Sequence, residues 1–296
     1  MKVVDLFAGC GGLSLGFEKA GYNVVAAFEL WSAAVSCYRK NFDHPVIQLD
    51  LSDTDSAIKE IQKFSPDMII GGPPCQDFSH AGKRIENDKA MLTESYAKIV
   101  AGINPKCFVM ENVDRVQKSH AYAIARETFK QAGYGLTEII LDASLCGTPQ
   151  KRKRFICFGM LGKEDAFAQE AFTTRLAKKP LTLRDYFGDA LGFEFYYRHP
   201  RNYSRRAVFS IDEPAPTMRG VNRPVPKGYP GHKNDACRIT SDLHVLSTRE
   251  RAMIQTFPIN YRWEGNKTDV EQMIGNAVPV NLAKFIGETV KSVTGE

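Results

Sequence analysis

The chain is poor in the features that would commit it to a stapled mini-fold, a metal centre or a membrane. Its 296 residues hold 7 cysteines, an odd number with no Cys-x-x-Cys pair among them, which argues against a disulfide framework and a zinc site and favours reduced thiols. No apolar run reaches the roughly 18 residues that a spanning helix needs, and Lys2-Val3-Val4-Asp5-Leu6 shows no signal-peptide pattern. A cytoplasmic protein without a membrane partner is therefore expected. Repeats and low-complexity tracts are absent. The glycine-rich turn near the N-terminus lacks the Gly-Lys-Ser/Thr of a P-loop, which weighs against phosphoryl transfer.

A chain of this length with 43% hydrophobic residues can bury a full core, as one large domain or two unequal ones. Over the first 160 residues short apolar runs alternate with helical patterns, the signature of a parallel sheet covered on both faces. Strands are expected at Val3–Phe7, Val24–Phe28, Val46–Leu49, Met68–Ile70, Cys107–Met110, Thr137–Leu141 and Phe155–Phe158. Helices are expected at Leu13–Ala20, Ser32–Asn41, Asp55–Lys63, Tyr96–Ile103 and Tyr122–Ala132. The fold class is thus α/β, a doubly wound and mostly parallel sheet. After Lys179 prolines and glycines recur and periodicity fades, so a smaller second domain is expected over residues 179–265, with 1–178 and 266–296 forming the first. Helical signal returns at Thr248-Arg249-Glu250-Arg251 and in a last helix over Val280–Val293.

Charge is unevenly placed. From Arg175 to Arg238 there are 13 Lys/Arg against 6 Asp/Glu, a local excess of 7 where the whole chain carries only +5. Aromatics such as Tyr197, Tyr203 and Tyr229 lie among these arginines, a mix suited to tracking phosphates and touching bases.

In an open α/β sheet ligands bind beyond the carboxyl ends of the strands, and five successive ends here carry a special residue. The first runs into Phe7-Ala8-Gly9-Cys10-Gly11-Gly12, whose glycines allow close backbone approach to a ligand. The second ends at Glu29, 20 positions after Gly9, a distance at which a carboxylate commonly receives ribose hydroxyls. The next ends carry Asp50, Cys75 and Glu111. Taken singly, the turn could be only a turn, Glu29 a surface carboxylate and Asp50 a helix cap. Cys75 follows Gly72-Pro73-Pro74 in a loop stiffened by two prolines, a setting that suits a thiol meeting a substrate. Glu111 in Val109-Met110-Glu111-Asn112-Val113 is costly after so apolar a strand unless paired or protonated, and a protonated carboxyl can donate to a substrate nitrogen. Alternation along Gln150-Lys151-Arg152-Lys153-Arg154 sends Gln150, Arg152 and Arg154 to one face, suited to clamping a carboxylate or a base edge.

These segments, with Arg249-Glu250 and Gly275-Asn276-Ala277-Val278-Pro279, occur in order over nearly the whole chain and closely resemble the DNA cytosine-C5 methyltransferases. The resemblance implies S-adenosylmethionine as cofactor, against Phe7, Ala8, Gly9, Cys10 and Gly12. Glu29 would meet its ribose and Asp50 its adenine, with Leu30 and Leu51 beside them, and Gly72, Pro74, Leu92, Asn276, Ala277 and Val278 would complete the pocket. It implies Cys75 as the nucleophile toward C6 of a flipped cytosine, Glu111 at N3, Arg152 and Arg154 on Glu111 and the cytosine O2, and Ser79 seating the base. Residues 179–265 would recognise double-stranded DNA, with Gln76, Arg205, Arg206, Thr217 and Arg219 as contacts, in an enzyme acting as a monomer and paired with a restriction endonuclease. A transfer-RNA-directed subgroup shares these motifs but typically carries a later Cys-Phe-Thr, which this chain lacks. The chain departs from the family pattern in having Leu30 before Trp31 where an aromatic often follows the glutamate, Gly72-Pro73 before Pro74, and Ala277 for a frequent serine.

Overall fold

The computed structural model describes residues 1–74, 86–240 and 243–296, with the backbone alone for 86–90. Cys75, Gln76 and Ser79 lie outside the described residues. In chain order the elements are β1 (Lys2–Leu6), α1 (Gly12–Lys19), β2 (Asn23–Glu29), α2 (Ser32–Arg39), β3 (Val46–Gln48), α3 (Thr54–Gln62), β4 (Met68–Gly71), α4 (Glu86–Ile103), β5 (Cys107–Val113), α5 (His120–Gln131) and β6 (Tyr134–Asp142). There follow β7 (Gln150–Lys151), β8 (Lys153–Leu161), α6 (Gln169–Thr174), α7 (Leu183–Phe187), β9 (Phe195–Tyr197), β10 (Val208–Ser210), β11 (Ala215–Pro216), β12 (His244–Val245), α8 (Thr248–Ile254), α9 (Lys267–Asn276) and α10 (Val280–Thr294).

Seven strands form one sheet in the order β3-β2-β1-β4-β5-β8-β6. Pairings from β3 to β5 are parallel, whereas β8 runs antiparallel to both β5 and β6. The alternation over the first 160 residues reads as a parallel sheet, and β8 corrects that reading. Its direction follows from the link between β6 and β8, which holds a 3-10 turn at Ala143–Leu145 and the two residues of β7, too little for the helical crossover a parallel return requires.

Both sheet faces are covered, as the period-2 alternation of a strand demands. Val3, Met68, Ile70, Cys107, Val109, Ile156 and Phe158 pack with Leu13 and Phe17 of α1, Phe172 of α6 and the apolar side of α10. Val4, Leu6, Ile69, Phe108, Met110, Phe155 and Cys157 pack on the other side with α3, α4 and α5. Helix α4 begins at Glu86, ten residues before the expected start at Tyr96, because the sequence Glu86-Asn87-Asp88-Lys89 carries no apolar period. Two glycines allow α1 and the C-terminal part of the chain to close on one another: a Cβ on Gly16 would lie 2.2 Å from that of Ala283, and one on Gly12 would lie 2.3 Å from the Val278 carbonyl oxygen.

Over 179–265, β9 pairs with β10 and β12 in a three-stranded sheet, and β11 pairs with β7. Leu183, Tyr196, Phe209, Ile211, Ala215, Met218, Leu246 and Ile254 share one apolar cluster. Ala252, Phe257 and Tyr261 instead join Cys10, Ala34 and Cys37, so the end of this stretch packs on α1 and α2. Among the described residues no helix is long and apolar enough to cross a membrane.

Candidate active site

Strand order reverses between β1 and β4, which makes the carboxyl ends of those two strands the crevice of the sheet. Register sharpens this. Leu6 pairs with Gly71, and Gly71 with Met110, so Phe7 and Gly72 leave the sheet beside Glu111, which stays in β5, one residue past the expected strand end at Met110 and two short of the actual end at Val113, and pairs with Ile156 of β8.

The first wall is the turn Phe7–Gly12. Phe7 (φ 57°) is left-handed without being glycine, a strained state that the surroundings must hold, while Gly9 (φ 55°) and Gly11 (φ 89°) take such angles freely. The Ala8 amide donates to Phe28 O at 3.1 Å and the Gly11 amide to Ala8 O at 2.9 Å. Glu29 at the end of β2 accepts from the Gly9 amide at 2.8 Å and the Trp31 amide at 2.7 Å. A carboxylate thereby fixes the turn it faces. A Cβ on Gly9 would meet nothing within 4 Å, so the turn borders open space where a ligand fits.

The remaining cofactor candidates divide. Asp50 is exposed and accepts from the Ser52 amide at 2.9 Å, and Leu30 is exposed. Trp31 is half-buried and packs against the cluster around Tyr261 and Phe257. The Cys10 side chain is buried in that cluster and its carbonyl receives the Tyr261 hydroxyl, leaving only backbone toward the crevice. Leu51 is buried against the α3 and α4 face. Gly72 and Leu92 are half-buried, Pro74 and Asn276 exposed, Ala277 half-buried and Val278 buried.

Glu111 forms the second wall. It is 7% exposed, and burial pushes its carboxyl above the ordinary value while Arg154, then Arg152, pull it back. Arg154 on β8 pairs with it, Nε to Oε1 at 2.7 Å. A Cβ on Gly72 would stand 3.0 Å from Glu111 Oε2, so the glycine keeps that oxygen clear. Asn112 Nδ2 donates to Pro73 O at 3.0 Å and ties the proline loop that leads to Cys75 to the end of β5. The sequence placed Asn112 in a motif but gave it no task. Five other cysteines, Cys10, Cys37, Cys107, Cys146 and Cys157, are buried, and burial raises each thiol. None of them resembles a reactive thiolate.

Gln150 and Arg152 face inward and Lys151 and Lys153 outward, as the alternation requires. Their hydrogen bonds differ from a clamp on Glu111. Arg152 Nη1 donates to Met218 O at 3.0 Å, and Nη2 to Gly275 O at 3.0 Å and Ala277 O at 3.1 Å. Gln150 receives the Met218 amide at 2.9 Å and donates to Gln255 at 2.6 Å. Only tertiary contacts define this hub, and Gln255 offered no sequence signal.

Candidates for DNA contact are partly engaged inside the protein. Arg206 pairs with Glu213 and lies 4.3 Å over the Phe209 ring. Thr217 Oγ1 donates to Lys151 O at 2.9 Å, and Arg219 donates to His199 O. Arg205 is exposed. The two neighbours therefore differ: one holds the small sheet together, the other faces solvent.

A sheet with this order and its ligand end at the β1/β4 switch is the methyltransferase class of α/β fold. Solved structures bear out the likeness at the level of fold: the chain superposes on the S. pombe Dnmt2 methyltransferase (TM-score 0.72, 18% identity, 100% of this chain and 99% of that one) and on Entamoeba histolytica methyltransferase EhMeth (0.69, 17%, 100% and 99%). Residues 1–292 match the model of the C-5 cytosine-specific DNA methylases. Type II methyltransferase M.HindV of Haemophilus influenzae is 55% identical over 98% of this chain and 96% of its own length, and M.HgiDI of Herpetosiphon aurantiacus 50% over 99% and 94%. The chain belongs to the C-5 cytosine-specific DNA methylase family and is a DNA (cytosine-5)-methyltransferase.

Proposed function

We propose that the chain methylates C5 of a cytosine flipped from a short specific site in double-stranded DNA, through a transient bond between Cys75 and C6. The observation that carries this reading is the adjacency, fixed by strand register, of the Phe7–Gly12 turn, the Gly72–Pro74 exit toward Cys75, and Glu111. The family's cofactor, S-adenosylmethionine, brings an electrophilic methyl group on a sulfonium. Open space beside Gly9 and the Glu29 carboxylate fit that group, with Asp50, Leu92 and Asn276–Val278 as the further lining.

Cytosine is a weak nucleophile at carbon, and addition of the Cys75 thiolate at C6 loads electron density onto C5. Glu111 hydrogen-bonds or protonates N3, so that the electron pair driven off C6 is accommodated. Arg154 holds the Glu111 carboxyl toward the base. After C5 has gained the methyl group, loss of its proton lets the thiolate leave and restores the ring. Ser79 seats the base, and Gln76, next to the nucleophile in sequence, contacts the duplex. Extrusion costs a few kcal/mol, drawn from DNA binding.

Within 179–265 the basic, aromatic segment with its own small sheet serves as the recognition part, with Arg205, Thr217 and Arg219 nearest the duplex; residues 1–178 and 266–296 are catalytic. The relatives named as type II methyltransferases support a place in a restriction-modification pair with an endonuclease, the enzyme acting as a monomer on DNA in the cytoplasm. Plasmid from cells expressing the chain, sequenced so that 5-methylcytosine is distinguished, should carry the mark at one short motif. Duplex with 5-fluorocytosine at that position should trap the active enzyme in a denaturant-stable adduct, and Cys75→Ser should abolish both. An active enzyme without an adduct would refute the thiol addition.

A further inference from the structure

Arg152 is a buried cation, 1% exposed, and none of its guanidinium hydrogen bonds runs to a carboxylate, only its backbone amide donating to Asp142 at 3.3 Å. What balances it is backbone. Gly275 and Ala277 lie at the C-terminal end of α9, where carbonyls lack helical partners and the helix dipole is negative. Gln255 Nε2 completes the capping by donating to Ile274 O at 2.6 Å and Ala277 O at 3.1 Å.

The other half of the guanidinium reaches across to Met218. Three successive carbonyls there each receive an arginine: Thr217 O from Arg198, Met218 O from Arg152 and Arg219 O from Arg251. Arg251 is itself paired with the buried Glu271 on α9. Gly275 and Gly220 touch so closely that a Cβ on Gly275 would lie 2.2 Å from the Gly220 nitrogen. Three residues beyond Gly275 the same loop reaches Val278, whose carbonyl covers Gly12. Segment 217–220 and the cofactor-side turn are thus joined through one planar group with donors fixed on two edges, a geometry that lysine cannot reproduce.

We propose that Arg152 is a positioning residue that sets the distance between the segment presented to DNA and the 275–278 loop against the cofactor turn, so that duplex and cofactor strengthen each other's binding. This rests on the functional reading above, in which 217–219 meets DNA and Gly9–Gly12 meets the cofactor. Linkage requires the coupling to be reciprocal, and couplings of this kind run from about 5- to 150-fold.

The test measures affinity of the full-length protein for S-adenosylhomocysteine alone and with duplex bearing the mapped site. A second duplex carries an abasic position in place of the target cytosine. In the native protein either duplex should tighten cofactor affinity by on the order of 10-fold. In Arg152→Lys that factor should fall below about 2-fold, in the range where no coupling is left. Gly275→Ala, which presses on the same junction without touching charge, should lower it too, whereas Gly162→Ala, at a surface turn with nothing within 4 Å of its Cβ, should not. Full coupling in a folded Arg152→Lys, or a loss confined to the duplex that keeps its cytosine, would overturn the proposal, the latter by making Arg152 a base contact. A native protein that binds both ligands without mutual effect overturns the coupling alone; one that binds no site-bearing duplex overturns the functional reading as well.

Discussion

Asp5 illustrates how much a single buried group can decide. It lies at 0% exposure beneath the glycine turn, accepts from Ser14 Oγ at 2.6 Å, and has Oδ1 buried without a partner. The Tyr38 hydroxyl donates to Ser14 at 2.7 Å and stands 2.7 Å from His44 Nε2. Burial, against the lowering effect of Ser14, pushes Asp5 up from 3.8 to about 7. The folded state then holds a proton that the unfolded chain has released between those values. Stability should therefore fall as pH rises from about 4 to about 7, by no more than about 1.4 kcal/mol per pH unit. Asp5→Asn, which keeps the shape without the charge, should flatten that slope in urea titrations at pH 5 and pH 8. An unchanged slope would mean that Asp5 is ionised at no such cost. The sequence displayed Asp5 as part of a motif, but its surroundings come from α1 and α2.

At the scale of elements, glycines mark where backbones must meet. Gly12 has an ordinary φ, so its constraint is one of space: its Cβ would fall 2.3 Å from the Val278 carbonyl. Gly12→Ala should cost about 1–3 kcal/mol, the usual cost of overpacking, and weaken cofactor affinity. Gly162→Ala, at a left-handed surface turn with nothing within 4 Å, should cost only about 1–2 kcal/mol of backbone strain and leave cofactor affinity intact. Urea midpoints and cofactor titrations on both variants separate the two. The spacing of Gly9, Gly11 and Gly12 announced a close approach, but its partner at Val278, some 266 residues on, became visible only when α10 packed on α1.

For the whole molecule, charge placement governs DNA binding. Arg205 faces solvent, whereas Arg206 is committed to Glu213 and Phe209. Arg205→Ala should lower the slope of log affinity against log salt by about 1, as expected for one lost phosphate contact, with stability unchanged. Arg206→Ala should act chiefly on stability. A reversed pattern in salt titrations would exchange their roles. Composition exposed the basic excess of 175–238, yet two adjacent arginines look alike until the fold gives one of them a carboxylate.

The amino-acid order by itself determined the α/β class, the strands of the large sheet and the placing of Glu29, Asp50 and Glu111 at or near their carboxyl ends, because strand alternation and turn chemistry are local. It also displayed the motifs that tie the chain to its family. Tertiary structure alone decided that β8 runs antiparallel, that the Arg152 guanidinium donates to carbonyls at the end of a distant helix, and that Trp31 packs against the cluster of Phe257 and Tyr261. Each of these depends on which remote carbonyl, carboxylate or apolar surface arrives beside a side chain, and no spacing along the chain encodes that arrival.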